Sequence, residues 1–368
     1  IDPYLNRAEE ILSTREDHVG VTEYNLDHNL SSKDITIIRS MSAILRGLKA
    51  VCTGDPQRAL KFTQTALGNL PEMEPSELAV LFWVEGWAHR SLGNLSVAIE
   101  RLTKGTEYAS ESGAIFRDIW IDLGNVTRLV GKLPQAIEII STSLHNTVDR
   151  GIHNQGNISR DETFLSFFLL EQNQVDLAFI HATQALAHTQ WWPSHVVISM
   201  AYLSLAQIFL VKGKLDDSVQ AIQKADQERN KWLMTPYVHS LVEVTWARIW
   251  LAQSKWALLD NWATDQLSIL NATLKEKRPI DEFLEMRLIM LVRVCMEKTR
   301  IEKDPERYTD CLGLLEKLEN SSQTAGRINS LVETLFLQAV ILYVQGKKNE
   351  AVGDLDKCFS MAEPGGYM

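Results

Sequence analysis

The chain has little cysteine and no ordered arrangement of it: Cys52, Cys295, Cys311 and Cys358 are the four among 368 residues, with no CxxC pair and no framework spacing. That excludes a disulfide scaffold and is the usage of a reducing, cytosolic compartment. Positive charge is also in short supply. Lys and Arg number 37 against 47 Asp and Glu, a formal net charge of −10 with no basic block. Gripping nucleic acid needs clustered cations to neutralise phosphates, so direct contact with it is not expected. Nor is there an apolar run long enough to span a bilayer, or a signal peptide. No strand-like alternation occurs, and runs such as HVVISMAYLSLAQIFLV are apolar at helical spacing.

Catalytic signatures are equally scarce, and no enzyme is expected. The nearest approach to a phosphate loop, GNVTRLVGK from Gly124 to Lys132, has six residues between its glycines and Leu133 where Ser or Thr is required. There is no G-x-S-x-G elbow. His181, His188 and His195 recur at intervals of seven, but Pro193 interrupts any single helix through them and no further ligand completes a zinc set. No cofactor or metal is expected in this chain.

What the sequence does hold is a repeat. Gly54, Gly93, Gly131, Asn173 and Gly213 succeed one another at intervals of 39, 38, 42 and 40 residues; Ser254 gives a weaker copy 41 further on, and Gly346 a late strong one. Five residues after each strong turn stands a small residue: Ala59, Ala98, Ala136, Ala178, Ser218 and Ala351. Seven before the turns stands another: Gly47, Gly86, Gly124, Ser166, Ala206, Ala247 and Ala339. Glycine, or asparagine after it, ends a helix in the left-handed conformation at low steric cost. Small residues on both sides then let two antiparallel helices approach closely. The pattern resembles the tetratricopeptide repeat, stretched from its usual period of about 34 residues.

Helical pairs are expected at about 35–71, 76–112, 114–150, 160–190, 194–230, 236–270, 281–320 and 328–363, with Pro71, Pro193, Pro236 and Pro279 at junctions. The seventh pair carries an inserted RIEKDPER, and Cys311 takes its small position. Residues 1–34 are expected to be the second helix of a truncated leading repeat plus a loop, and 35–368 the repeat domain proper. The fold class is all-α, a right-handed superhelix of about eight helical hairpins.

The last repeat, GRINSLVETLFLQAVILYVQGKKNEAVGDLDKCFSMAEPGGYM, resembles the last repeat of the sensor domain in MalT-like transcriptional activators of the LuxR family. The matching residues are Gly326, Arg327, Ser330, Glu333, Leu335, Leu337, Gln338, Ala339, Gly346, Ala351, Ala362, Glu363, Pro364, Gly366 and Tyr367. AILRGLKAVCTGDPQRAL and RIWLAQSKWALLDNWA look like earlier repeats of the same kind. The resemblance implies a piece of a longer regulator, with ATP bound by an N-terminal domain and DNA by a C-terminal helix-turn-helix, both outside this chain. It also implies self-association of the full protein under control of an inducer.

First helices of such repeats line the concave surface. With the turn residue as position 15, the inward positions are roughly 2, 5, 6, 9, 12 and 13, by resemblance to the shorter repeats. In the first pair they are mostly apolar (Met41, Ile44, Leu48). The second pair places Trp83, Trp87 and Arg90 there, the third Asp118, Asp122, Asn125 and Arg128, and the fourth Arg160, Thr163, Phe164, Phe167 and Glu171. Aromatic platforms with directional polar groups suit a small polar ligand such as a carbohydrate; the same aromatics and Asp–Arg alternation also suit packing and ion pairing between repeats. Trp191 and Trp192, in the loop TQWWPSHV, are either a partner contact or lid, or a plug on the end of a helix pair. The expected function is that of an effector-binding domain of such an activator, taking a small-molecule inducer in the groove. The alternative is a protein-interaction scaffold whose groove holds a peptide, a regulatory protein or a neighbouring domain.

Overall fold

The computed structural model describes residues 32–68, 73–112, 117–149, 155–191, 193–231, 234–304 and 306–367. The expected leading helix at 1–16 and Trp192 lie outside the described residues. The first described helix begins at Ser32, within the stretch expected to be loop.

Sixteen α-helices and no strand occur among the described residues, paired into eight hairpins. They are α1 (Ser32–Cys52) with α2 (Pro56–Leu67), α3 (Pro75–Ser91) with α4 (Leu95–Ser112), α5 (Arg117–Leu129) with α6 (Leu133–Asp149), and α7 (Gln155–Glu171) with α8 (Val175–Thr189). Then come α9 (His195–Val211) with α10 (Leu215–Arg229), α11 (Pro236–Ala252) with α12 (Trp256–Lys275), α13 (Glu282–Glu302) with α14 (Arg307–Ala325), and α15 (Ile328–Val344) with α16 (Lys348–Gly365). Every anticipated hairpin is present, which makes this a solenoid of tetratricopeptide type.

The turns form for the reason their residues imply. Gly54, Gly93, Gly131, Gly213 and Gly346 all have positive φ, and so do their non-glycine stand-ins Asn173 (φ 62) and Ser254 (φ 54). Each closes with the same pair of bonds. At the second turn the Gly93 amide donates to the Arg90 carbonyl and the Asn94 amide to the His89 carbonyl, both at 2.9 Å. This is the Schellman arrangement, which satisfies carbonyls the helix end leaves free. In the seventh hairpin the inserted segment moves the left-handed residue to Lys303 (φ 55).

The small positions are filled as close approach requires. Ala59, Ala98, Ala136, Ala178 and Ser218 are fully buried. A Cβ on Gly86 would lie 2.4 Å from Leu102 Cγ, and one on Gly124 would lie 2.8 Å from Ile140 Cδ1. Where serine replaces glycine or alanine, its hydroxyl donates to the facing backbone: Ser166 to the Ala178 carbonyl and Ser218 to the Ala206 carbonyl, both at 2.7 Å. Cys311 is buried, as its small slot requires.

Two compact units make up the chain, one ending at Leu123 and the other starting at Gly124, within α5. The first has a core around Ile44, Ala59, Leu81 and Val84. The second is built from the remaining hairpins, and one of its clusters centres on Leu259, Leu288, Leu291, Leu315 and Ile341.

Candidate functional site

Within the second unit the chain closes on itself. The Tyr367 hydroxyl donates to the Arg128 carbonyl at 3.0 Å, across 239 residues of sequence. Side chains are excluded where the end of α16 meets the third turn: a Cβ on Gly365 would lie 2.6 Å from the Gly131 carbonyl oxygen, and one on Gly366 2.6 Å from Pro134 Cγ. Gly131 in turn leaves room for Ile328, which a Cβ there would meet at 2.6 Å. The family-like terminal segment thus acts as the clasp of this unit.

Inside lies a cavity of about 650 Å³, lined by the first helices of six consecutive hairpins and by the clasp. Arg128 comes from α5, Phe167 and Glu171 from α7, Gln207 from α9, Tyr237 and Arg248 from α11, Arg293 from α13 and Glu333 from α15. That volume is of the size that encloses small-molecule ligands.

Polar bonds join neighbouring repeats around it. Arg128 Nη1 pairs with Glu171 Oε2 at 3.1 Å and its guanidinium lies over the Phe168 ring, 6.0 Å from the centroid. Arg293 donates to Glu333 Oε1 through Nη2 at 2.7 Å and Nε at 3.0 Å. Gln207 Nε2 donates to Thr245 Oγ1 at 3.0 Å. Burial works against the charge on Arg128, but Glu171 and the surrounding oxygens more than offset it and hold its pKa above the ordinary value. Burial, reinforced by Glu171, raises the Tyr367 phenol, which stays a neutral donor.

Arg248 differs from its neighbours. Its side chain has ample accessible surface, yet desolvation lowers its pKa, partly countered by Glu333 and deepened by Arg293. The two facts fit a group standing in a recess that is open to water and walled by protein. Among the described residues it makes no ion pair and no hydrogen bond.

Of the residues singled out in the sequence, the cavity takes in Arg128, Phe167 and Glu171. Thr163 and Phe164 are buried in the same helix as Phe167, the former donating to the Ser159 carbonyl and the latter packed edge-on against Phe168. Asn125 is buried, and its Oδ1 finds no donor among the described residues. Asp118 and Arg160 are half-buried and both engaged with other residues. Trp191 is 77% exposed and plugs nothing.

In the first unit a second anticipated group comes together. Trp83 and Trp87 stack with centroids 5.9 Å apart, Trp83 Nε1 donates to Asp122 Oδ2 at 2.7 Å, and Arg90 Nη1 pairs with Asp122 Oδ1 at 3.1 Å. The three histidines find separate partners on facing helices: His181 with Glu162, His188 with Gln155 and His195 with Glu228. Among the described residues no group of His, Cys, Asp and Glu is placed to hold a metal ion, and no helix is long and apolar enough to cross a membrane.

Gln207, Arg248, Arg293 and Glu333 were not anticipated as site residues. A signal for Gln207, Arg248 and Glu333 was present: Glu333 is the inward position 2 counted from Gly346. Counting from Gly213 and Ser254, Gln207 and Arg248 both fall on position 9, the position of Trp87, Asn125 and Phe167.

The family described as the MalT-like TPR region matches residues 41–368. No curated protein matches the chain in sequence. In fold it is similar to a Rap protein solved in complex with competence and sporulation factor, at a TM-score of 0.61 and 12% identity over 98% of this chain and 94% of that one. NprR in complex with its cognate peptide NprX gives a TM-score of 0.54 and 14% identity over 87% and 91% of the two chains. The apo form of the quorum sensor NprR from B. thuringiensis gives 0.54 and 12% over 98% and 94%. At such identities the likeness is one of fold.

Proposed function

The chain belongs to the MalT-like TPR family, and from that premise we propose that it is a ligand-binding regulatory domain whose effector occupies the cavity of the second unit. The observation that carries this is the cavity itself: about 650 Å³, lined by six successive first helices and closed by the Tyr367 clasp. A ligand that bridges several repeats there favours whichever arrangement of hairpins holds it best. It regulates only through that difference in affinity between states. In a full-length activator of LuxR type the favoured state is the one that self-associates and binds DNA. The role proposed is binding, not catalysis.

A peptide occupant is the second reading, favoured by the two similar folds solved with a factor or a cognate peptide bound. The cavity volume argues for a small molecule, or for no more than the tip of a peptide.

The test is thermal unfolding and intrinsic tryptophan fluorescence of this chain against oligosaccharides, sugar phosphates, organic acids and short peptides. A saturable rise in Tm that disappears in Ser330→Trp, which fills the cavity from α15, supports the proposal. Binding that Ser330→Trp leaves intact would place the ligand elsewhere.

A further inference from the structure

Six charged side chains line the cavity: Arg128, Arg248 and Arg293 against Glu171, Glu282 and Glu333. Formally they cancel, but they are not matched in space. Arg128 is bonded to Glu171, and Glu282 also favours its charge. Arg293 is bonded to Glu333 through two nitrogens. Arg248 is left between them. The carboxylate acting on it most is Glu333, already committed to Arg293, and Arg293 itself adds a second positive charge. One guanidinium in excess therefore stands at the end of the cavity formed by α11, α13 and α15.

A charge flanked by a second cation and bonded to no carboxylate is best answered by an anion. The lowered pKa of Arg248, to which the neighbouring Arg293 contributes after desolvation, runs in the same direction. A guanidinium offers five N–H donors in a fixed plane, matched to the paired oxygens of a carboxylate or phosphate. The remaining lining supplies polarity for the rest of such a molecule: Asn329 Oδ1 is a buried acceptor with no donor among the described residues, and apolar walls come from Phe167, Leu241, Val244 and Ile289. A neutral ligand would leave the Arg248 charge uncompensated.

We infer that the cavity takes a small anionic effector, a molecule bearing a carboxylate or phosphate group, with that group seated on the Arg248 guanidinium beside Arg293. This rests on the ligand-binding role proposed above. Arg248 contributes recognition, while Arg128 and Arg293, each tied to a glutamate, hold neighbouring repeats together around it.

The experiment uses inorganic phosphate and citrate as probes of the two anion types, and maltotriose as a neutral probe, against wild type, Arg248→Gln, Arg248→Lys and the control Arg300→Gln. Arg300 is an exposed arginine paired with Glu297 on its own helix. Saturable rises in Tm with one or both anions are expected for wild type and Arg300→Gln. Arg248→Gln weakens them by about ten-fold or more, as loss of a charge-assisted hydrogen bond does. Arg248→Lys retains charge without the planar fork and falls between. Which anion binds tighter separates phosphate from carboxylate effectors. Anion binding that Arg248→Gln leaves unchanged overturns the inference. Saturable binding of maltotriose alone, insensitive to Arg248, overturns the anionic class while the ligand-binding role stands. No response to any probe, with the peptides of the broader screen binding instead, overturns the small-molecule reading as well.

Discussion

Tyr367 donates its phenolic hydrogen to the backbone carbonyl of Arg128, joining the end of the eighth hairpin to the third. The bond is made where Gly365 and Gly366 lie against Gly131 and Pro134 with no space for a Cβ. Tyr367→Phe is expected to cost about 1 kcal/mol, the net value of one hydrogen bond. Gly365→Ala forces a methyl against backbone and is expected to cost about 1–3 kcal/mol. Urea unfolding measures both. Equal stabilities of wild type and Gly365→Ala would mean that the clasp is open in solution.

Asp122 is held by Trp83 and Arg90 at once, and the Arg90 side chain is only 8% exposed. Asp122→Ala deprives both of that carboxylate and is expected to cost about 1.5–3 kcal/mol, the range for hydrogen bonds to charged groups, with a shift in tryptophan emission. Effector affinity at the second unit's cavity should be unchanged. A loss of affinity as well would establish a second binding site beside the stacked tryptophans.

Glu285 is fully buried, paired with Arg327 and bonded by Ser322. Burial raises its pKa from 4.5 to about 7 even though Arg327 and Ser322 pull the other way. The folded state therefore holds this proton more tightly than the unfolded chain. Its contribution to stability is complete below pH 4.5 and is lost as pH rises through about 7, an effect on the order of 3 kcal/mol. Tm measured from pH 5 to 8 should fall less steeply in Glu285→Gln than in wild type. Matching slopes would show that Glu285 stays ionised throughout.

Arg327→Met strands the same carboxylate. The expected loss is about 3–5 kcal/mol at pH 8, where Glu285 is charged and buried without its cation. It should shrink at pH 5, where protonation removes the penalty. A loss independent of pH would show that Arg327 acts through its bonds to the Ile280 carbonyl and Ser321 Oγ alone.

Gly86→Ala and Gly213→Ala separate packing from backbone strain. The first drives a methyl to 2.4 Å from Leu102 Cγ; the second meets nothing within 4 Å but sits at φ +69. Both are expected to cost about 1–2 kcal/mol. Only the first should be partly relieved in the double variant with Leu102→Ala, because only it is coupled to that side chain. Additive losses in that cycle would refute the close-approach role of Gly86.

The hairpins were legible in the sequence because what makes them is local. A left-handed turn residue and two small residues within a dozen positions fix a close helix pair whatever surrounds it, and Asn173 and Ser254 could be placed beside the glycines on that ground alone. Inward-facing positions were legible too, up to a point: position 9 leads to Phe167, Gln207 and Arg248 alike.

What the tertiary structure alone decided was which of those positions share one cavity, and which charges there are already answered. The small rotation from one hairpin to the next accumulates over six of them before the clasp at Tyr367 reaches Arg128, and no spacing within one repeat encodes that sum. Nor does any spacing tell Arg128 and Arg293, each neutralised by a glutamate one repeat away, from Arg248, which has none. The sequence by itself determined a row of hairpins with a polar inner face. Closure of the second unit made part of that face a cavity, because there side chains from distant repeats line one volume.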